Sequence, residues 1–328
     1  VEELMAGEKT EHFGNIHRTF EDGERLVTTP PYTAYLKIAE GCSNGCAFCI
    51  IPKLRGRYRS RSMEALLAEA RQLADSGVKE LIVIAQDITR YGMDLEEPSS
   101  LARLLKELCK LDFHWIRLHY LYPEVITDEL IDTIAREKKI VHYLDIPIQH
   151  CNDGILKAMR RRNTRAELED LFARLRRAIP DLVVRTSLIC GLPGEGEAEF
   201  EELCQFLREQ KLQRVGVFQF SPEEGTLAAA MEDQVDPETA ARRVELVVDL
   251  QSRIMDEYNE ARLGTVMEVL CEGFDAQAGC FAGRTYADSV EIDGRVLFTA
   301  AGAVPAGSFV NVRITGVSDG ELTGEIEE

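Results

Sequence analysis

Six short apolar runs alternate with amphipathic segments between residues 32 and about 220, and this alternation restricts the fold more than any other feature of the sequence. The runs have the length of buried strands and lie at residues 35–39, 81–85, 115–119, 143–146, 183–189 and 215–220. The segments between them carry apolar residues at helical spacing. The pattern predicts an α/β fold, a parallel sheet covered by helices that is either open or curled into a partial barrel. Ligands of such folds bind at the carboxyl ends of the strands.

The rest of the chain divides into three further parts. Residues 1–31 are polar and are expected to form a tail or linker, followed by a catalytic core over 32–235. Residues 236–263 predict one connecting helix, because Asp236 can cap it, Pro237 suits its first position and Gly264 can end it. Residues 264–328 contain short β-rich runs separated by Gly and Asp turns, which predicts a small antiparallel β-barrel.

Three of the nine cysteines lie within eight residues, directly after the first predicted strand. Cys42, Cys46 and Cys49 have the spacing C-x₃-C-x₂-C, and three thiolates can bind three irons of a [4Fe–4S] cluster. The open fourth iron suits a chelating ligand such as the amino and carboxylate groups of S-adenosylmethionine. The alternative is a structural zinc site, which normally needs a fourth ligand that no nearby pair supplies. In either case the three cysteines are ligands, and no residue is predicted to act as a nucleophile.

Polar residues after later strands are further candidates for cofactor or substrate contacts. Gln149 and His150 follow the fourth strand, although a lone His is more often structural. Arg185 lies inside an apolar strand and must meet a carboxylate, which is either that of a ligand or an internal acidic side chain. Gly191 begins a Gly-Leu-Pro-Gly-Glu turn that can bring the backbone close to a ligand.

The cysteine spacing and its position resemble those of the radical SAM superfamily. The resemblance implies a partial (β/α)6 barrel and a 5′-deoxyadenosyl radical formed from S-adenosylmethionine. It implies that Phe48 lies near the adenine, with ordinary packing as the alternative. It also implies that Gln86, beside Asp87, holds the methionyl part, with a capping turn as the alternative.

Several phrases resemble the methylthiotransferase branch of that superfamily. They are Gly-Cys-x₃-Cys-x₂-Cys-Ile-Ile-Pro, Asp-Ile-Pro-Ile-Gln-His and Gly-Leu-Pro-Gly-Glu, and the C-terminal part resembles a TRAM domain. Within the branch, the RimO type modifies the β-carbon of an aspartate in the twelfth protein of the small ribosomal subunit, whereas the MiaB type modifies adenosine in tRNA. The phrases starting at Gln86, Ser221 and Gly283 favour the RimO type. A zinc-stapled binding scaffold is the non-enzymatic alternative.

The charge of the chain favours a basic protein partner. The formal net charge is −19, and residues 264–328 contain eleven acidic residues against three basic ones. An RNA-binding module is usually basic, so tRNA is the less favoured partner, although an acidic barrel can also serve solubility alone. A basic run from Lys53 to Arg61 is expected to meet an acidic residue of the substrate or an electron donor such as flavodoxin, or to be simply solvated.

Location and completeness are also expectations from the sequence. The odd number of cysteines and the lack of a signal peptide or membrane-length apolar run favour a reducing cytoplasm and no membrane. Family members carry an N-terminal domain with three more cysteines and a second [4Fe–4S] cluster, whereas no cysteine precedes Cys42 here. We therefore expect this chain to cleave S-adenosylmethionine without completing the sulfur transfer.

Overall fold

The computed structural model describes residues 15–16, 26–318 and 320–327, so most of the predicted N-terminal tail lies outside the described residues. A six-stranded parallel sheet forms the larger part of the fold, with strand order β1-β4-β5-β6-β7-β8. Its strands are β1 (Thr33–Lys37), β4 (Glu80–Ile84), β5 (Trp115–Leu118), β6 (Ile140–Asp145), β7 (Val183–Cys190) and β8 (Arg214–Gln219). A two-stranded ribbon pairs β2 (Ala39–Glu40) with β3 (Arg59–Ser60) across the cysteine loop.

Helices follow the strands, as right-handed crossovers between parallel strands require. They are α1 (Ile51–Arg55), α2 (Met63–Asp75), α3 (Leu101–Leu108), α4 (Asp128–Arg136), α5 (Asp153–Ala158), α6 (Arg165–Ala178) and α7 (Glu197–Gln210). Local sequence fixes several starts, since the side chains of Ser62, Ser100 and Thr164 each accept a backbone N–H of the first turn. The apolar faces of these helices and one face of the sheet share a core that includes Leu36, Leu81, Ile116 and Leu144. This arrangement confirms the predicted radical SAM-type α/β fold.

The C-terminal part is a closed five-stranded barrel, as predicted. Its strands are β9 (Val266–Asp275), β10 (Cys280–Arg284), β11 (Val296–Thr299), β12 (Phe309–Ser318) and β13 (Glu321–Ile326). Four neighbouring pairs are antiparallel, and the β11–β13 pair is parallel. The helix α8 (Pro237–Glu260) precedes the barrel, and Asp236 caps it by accepting the N–H of Thr239. Along the described part of the chain, no helix is both long and apolar enough to cross a membrane.

The small barrel is joined tightly to the amino end of the parallel sheet. Residues 284–293, here called the insert segment, begin at the last residue of β10 and contact residues in the amino-terminal parts of β4, β5 and β8. Glu80 accepts hydrogen bonds from Arg284 (2.6 Å) and from Arg117 (2.9 Å), and all three side chains are fully buried. Arg214 donates to Asp288 at 2.8 Å. The edge of the Trp115 ring packs on Phe309 with the centroids 4.8 Å apart. The insert segment therefore closes the amino end of the partial barrel.

Candidate active site

The cysteine loop is held at the carboxyl end of the sheet by backbone contacts. Cys42 donates its N–H to Gly56 (3.1 Å), and Ala47 donates to Met159 (3.0 Å). Gly41 has φ +78, and a Cβ there would lie 2.3 Å from the carbonyl oxygen of Arg57. Only glycine combines this backbone conformation with so close an approach. The loop therefore keeps a fixed path between two neighbouring chain segments.

The three thiols differ in exposure. Cys42 and Cys46 are buried, whereas Cys49 is partly exposed. Burial raises the pKa of the Cys42 thiol, and negative charge on Cys46, Asp87 and Cys49 raises it further. Burial likewise raises the pKa of Cys49. Across the residues described, no group of three or more His, Cys, Asp or Glu side chains is arranged to hold a metal ion. The case for a cluster therefore depends on the type and spacing of the donors.

Arg161 and Tyr122 contact Cys46, and neither was singled out from the sequence. A guanidinium nitrogen of Arg161 and the hydroxyl of Tyr122 each lie 3.7 Å from the Cys46 sulfur. Arg161 is 6% exposed and also stacks over the Tyr122 ring. Burial opposes its charge, but Tyr122 and Cys46 raise the pKa of this guanidinium. A run of three arginines at 160–162 was the available signal, and it gave no indication of which one is buried.

A hydrogen-bonded clamp ties the cysteine loop to the loop after β4. The Asn44 amide donates to Asp87 at 2.9 Å and accepts from Arg90 at 3.0 Å, while Arg90 also pairs with Asp87 at 3.1 Å. The Asn44 backbone N–H points to the Cys42 sulfur at 3.5 Å. Asp87 is fully buried, so its role here is to fix the loop. Asp87 therefore fixes the loop, whereas its neighbour Gln86 lines the adjacent cavity.

Gln86 lines a cavity together with two of the cysteines. The cavity has a volume of about 410 Å³ and lies between the ends of three strands and the cysteine loop. Its lining residues are Lys37, Cys42, Cys49, Ile51, Ile84, Ala85, Gln86, Tyr120 and Tyr122. The carbonyl oxygen Oε1 of Gln86 is buried without a hydrogen-bond partner. An unpaired buried acceptor costs about 1–3 kcal/mol, so this atom favours a ligand with a donor group. Lys37 provides the cationic side chain of the lining.

A second cavity contains Phe48 and Gln149. Its volume is about 290 Å³, and its other lining residues come from the ends of β7 and β8: Ser187, Ile189, Phe218, Gln219, Phe220 and Ser221. Phe48 and Cys49 are adjacent in the chain and line different cavities. The cysteine loop therefore lies between two spaces at the carboxyl ends of the six strands.

Each cavity includes a non-glycine residue with a left-handed backbone. Tyr120 has φ 65 and Gln149 has φ 72. Such conformations cost about 1–3 kcal/mol and tend to occur at functional sites. Gln149 is held by β7, since it donates its N–H to Ser187 and accepts from Ile189, both at 2.9 Å. The N–H of Tyr120 is held by the Asp145 carboxylate at 3.3 Å.

Arg185, Gly191 and His150 are engaged by internal partners. Arg185 donates to Asp145 at 2.8 Å, so the carboxylate that its position required lies within the chain. Glu195 accepts the N–H of Gly191 at 3.0 Å. His150 is fully buried, and its Nδ1 accepts the N–H of Asn152 at 3.0 Å. Its Nε2 lies 3.5 Å from Glu195 without a hydrogen bond. Neither Arg185 nor Gly191 is among the residues that line the two cavities described above.

The basic run after the cysteines is largely occupied by local contacts. Lys53 donates to the carbonyl of Gly225, and Arg59 donates to the carbonyl of Arg57 at 2.7 Å. Arg61 pairs with Glu69 at 2.6 Å, and Arg55 lies 3.7 Å from Glu40. Much of the run therefore stabilises the loop that carries the cysteines.

Comparison with known proteins agrees with this geometry. A family model described as the Radical SAM superfamily matches residues 36–207, and one described as a TRAM domain matches residues 263–326. Among solved structures, coproporphyrinogen III oxidase (HemN) from Escherichia coli, described as a radical SAM enzyme, has a TM-score of 0.51 at 16% identity over 69% of this chain and 54% of that one. At that identity the likeness concerns the fold alone.

Curated relatives extend the match to almost the whole chain. The ribosomal protein uS12 methylthiotransferase RimO of Caldanaerobacter subterraneus subsp. tengcongensis is 47% identical over 99% of this chain and 74% of its own length. The proteins of the same name from Pelobacter propionicus and Geobacter sulfurreducens are 49% and 47% identical over 93% and 97% of this chain, and 68% and 72% of their own lengths. This chain therefore belongs to the RimO family of radical SAM methylthiotransferases.

Proposed function

We propose that this chain uses S-adenosylmethionine to place a methylthio group on the β-carbon of an aspartate in ribosomal protein uS12. The observation that carries the proposal is the cavity lined by Cys42, Cys49 and Gln86 at the carboxyl end of the parallel sheet. Oε1 of Gln86 is buried there without a hydrogen-bond partner. Relatives over nearly the full length are named for this activity, which supports the substrate.

The donor set of the loop fits a [4Fe–4S] cluster. In this proposal Cys42, Cys46 and Cys49 bind three irons, and the Arg161 guanidinium, 3.7 Å from the Cys46 sulfur, compensates the negative charge there. When bound, the cluster supplies the electron that cleaves S-adenosylmethionine and so provides the radical that removes a hydrogen atom from the substrate. Burial of Cys42 and Cys46 limits access of water to these two sulfur atoms.

The cavity residues would orient the cofactor. Gln86 Oε1 would accept a hydrogen bond from the amino group of S-adenosylmethionine, and Phe48 offers an apolar surface in the neighbouring cavity, where Gln149 lies. Lys37 also lines the cavity, but its ammonium group is paired with Glu40. Arg185 and Gly191 are already hydrogen-bonded to the internal carboxylates of Asp145 and Glu195. Their contacts with the cofactor therefore remain predictions.

The partners follow from the charge of the molecule. The C-terminal barrel is acidic, and several of its acidic residues, such as Glu291 and Glu325, are exposed, so it suits a basic ribosomal protein better than tRNA. Delivery of electrons by a flavodoxin-type protein, a second [4Fe–4S] cluster in an N-terminal domain and a cytoplasmic location complete the proposal.

The deciding experiment separates cofactor cleavage from substrate modification. The chain, reconstituted anaerobically with iron and sulfide, should contain about four irons and form 5′-deoxyadenosine from S-adenosylmethionine with dithionite. Cys46→Ala should abolish that product, because a three-cysteine site loses one iron ligand. Cys204→Ala, which alters a buried cysteine of helix α7, serves as the control. One zinc per chain, or unchanged product from Cys46→Ala, would contradict the cluster assignment.

The substrate is tested by mass spectrometry. A longer family member that carries the N-terminal domain is incubated with uS12 and, separately, with tRNA, after its own C-terminal barrel has been exchanged for that of this chain. We expect a methylthio mass increase on an aspartate of uS12 only. Modification of tRNA, or tighter binding of tRNA than of uS12 by the chain itself, would overturn the assignment of substrate.

A further inference from the structure

A row of polar contacts links the C-terminal barrel to the wall of the cysteine cavity. The hydroxyl of Ser289, in the insert segment, lies 3.1 Å from Nε2 of His119. The other ring nitrogen, Nδ1, lies 3.6 Å from the Asp145 carboxylate. That carboxylate accepts the N–H of Tyr120, which lines the cavity with Cys42 and Cys49. Ser289, His119 and Asp145 are each at most 4% exposed.

We propose that Ser289 is a positioning residue for the cofactor cavity and acts through the ring of His119. This inference rests on the proposed function, since it concerns how the same cavity is shaped. It goes further, because it assigns part of the active site to the C-terminal barrel. That barrel is joined to the amino end of the sheet, whereas the cavity lies at the carboxyl end.

The proposal depends on which ring nitrogen of His119 carries the proton. A neutral imidazole carries one N–H, and the hydrogen bond at one nitrogen decides which nitrogen holds the proton. When the Ser289 hydroxyl donates to Nε2, the proton stays on Nδ1 and faces Asp145. Asp145 then keeps its second oxygen oriented toward the Tyr120 N–H, while Arg185 engages its first oxygen at 2.8 Å.

The need for this support lies in the backbone of Tyr120. Its φ of 65 is unfavourable for a residue with a side chain, and its ring is 42% exposed, so little packing holds it. The Ile88 N–H donates to the carbonyl of Tyr120 at 3.1 Å, and the Leu121 N–H donates to the carbonyl of Asp145 at 2.8 Å. The N–H of Tyr120 itself is held by the Asp145 carboxylate. A change in the orientation of Asp145 therefore changes the shape of the cavity.

A double-mutant cycle tests the proposal in the reconstituted chain. Deoxyadenosine formation is measured against the concentration of S-adenosylmethionine for wild type, Ser289→Ala, His119→Asn and the double variant. We expect Ser289→Ala to raise KM about five-fold with little change in kcat, the effect of losing one hydrogen bond. Asn places an amide N–H where Nδ1 lies, so Ser289→Ala should have no effect on KM in the His119→Asn background.

Two controls distinguish positioning from general stability. Ser308→Ala removes a hydroxyl that bonds within the same barrel, and it should leave KM unchanged. His119→Gln keeps a group near Nε2 but has none at Nδ1, so it should raise KM as Ser289→Ala does, which gives a decision even where Ser289→Ala folds poorly. Equal KM values for the Asn and Gln variants, or the same effect of Ser289→Ala in both backgrounds, would overturn the proposal.

A spectroscopic measurement separates this inference from the proposed function. In metal-free protein labelled with ¹⁵N-histidine, the ring of His119 should show the Nδ1–H tautomer in wild type and lose it in Ser289→Ala. Wild-type protein that forms no deoxyadenosine would count against the proposed function alone. An unchanged His119 spectrum in Ser289→Ala would count against the positioning role alone.

Discussion

At the scale of single residues, Cys46 contacts side chains from distant parts of the chain. Cysteine spacing is a local property, so the position of the triad after the first strand followed directly from the sequence. Arg161 and Tyr122 lie 115 and 76 positions from Cys46, and only the folded sheet brings them to its sulfur. For Arg185, the sequence predicted that a carboxylate must pair with the guanidinium. Only the structure shows that this carboxylate belongs to Asp145.

The contact of Arg161 with Cys46 gives a prediction about the cluster. Arg161→Met keeps the length of the side chain and removes its charge, which leaves the Cys46 thiolate without a cation. A lost charge-assisted contact corresponds to about 1.5–3 kcal/mol, so we expect a chelator to remove iron from the variant about ten-fold faster or more. Iron release from the reconstituted chain measures this. Arg160→Met, at an exposed neighbour, is the control, and equal rates for both variants would contradict the role of Arg161.

At the scale of elements, hydrophobic periodicity predicted each sheet strand to within a few residues and the long helix almost fully. The helix predicted over 236–263 runs as Pro237–Glu260, because its Asp236 cap is a local signal, and it ends with Ala261 as C-cap before Gly264 is reached. The ribbon of β2 and β3 was not predicted, since two-residue strands paired across about twenty positions leave no periodic signal. The need for glycine at position 191 could not be predicted either, because it arises from the close packing of helix α8, which follows much later in the chain.

Gly191 gives a prediction at this scale. It has φ +80, and a Cβ there would lie 2.4 Å from the Cβ of Ala240 in α8. We expect Gly191→Ala to lower the free energy of unfolding by about 2–4 kcal/mol, from backbone strain and overpacking together. Urea denaturation measures the change.

Two further variants separate these causes. Gly77→Ala has a similar φ of +95 with open space around its Cβ, so it should show the strain alone. Adding Ala240→Gly to Gly191→Ala should restore part of the loss, although glycine within a helix costs about 1 kcal/mol. No recovery in the double variant would show that helix packing is not the cause.

At the scale of the whole molecule, the two parts form one body through the insert segment. Arg117, Arg284 and Glu80 form a fully buried ion-pair network between the sheet and the small barrel. Composition predicted that the barrel is acidic. It could not predict the contact between the barrel and the sheet, since Glu80 and Arg284 lie 204 positions apart in the sequence. The only tryptophan of the sequence, Trp115, lies at the same junction and offers a fluorescence signal for it.

The network predicts a specific dependence of stability on pH. Burial alone would raise the pKa of Glu80, but Arg117 and Arg284 lower it to about 2. A carboxylate with a depressed folded pKa stabilises the fold above its unfolded pKa and loses that contribution as the pH falls toward 2. The shift corresponds to about 3 kcal/mol, lost progressively below about pH 4.5.

Glu80→Gln tests this dependence. At pH 7 the variant should be less stable by about 3–5 kcal/mol, because two buried arginines lose their counter-ion. The difference from wild type should shrink between pH 4.5 and pH 3, as measured by urea denaturation with Trp115 emission. A difference that stays constant over this range would contradict the low pKa of Glu80.

The insert segment also sets an order of events during synthesis. The six sheet strands are complete in sequence by residue 219, yet Glu80 and Arg117 receive their last partners only from Arg284 and the residues after it. Until those residues leave the ribosome, a carboxylate and several arginines face an open barrel end that water can enter. The last segment of the chain therefore completes the small barrel and also supplies the partners of charges buried in the larger part.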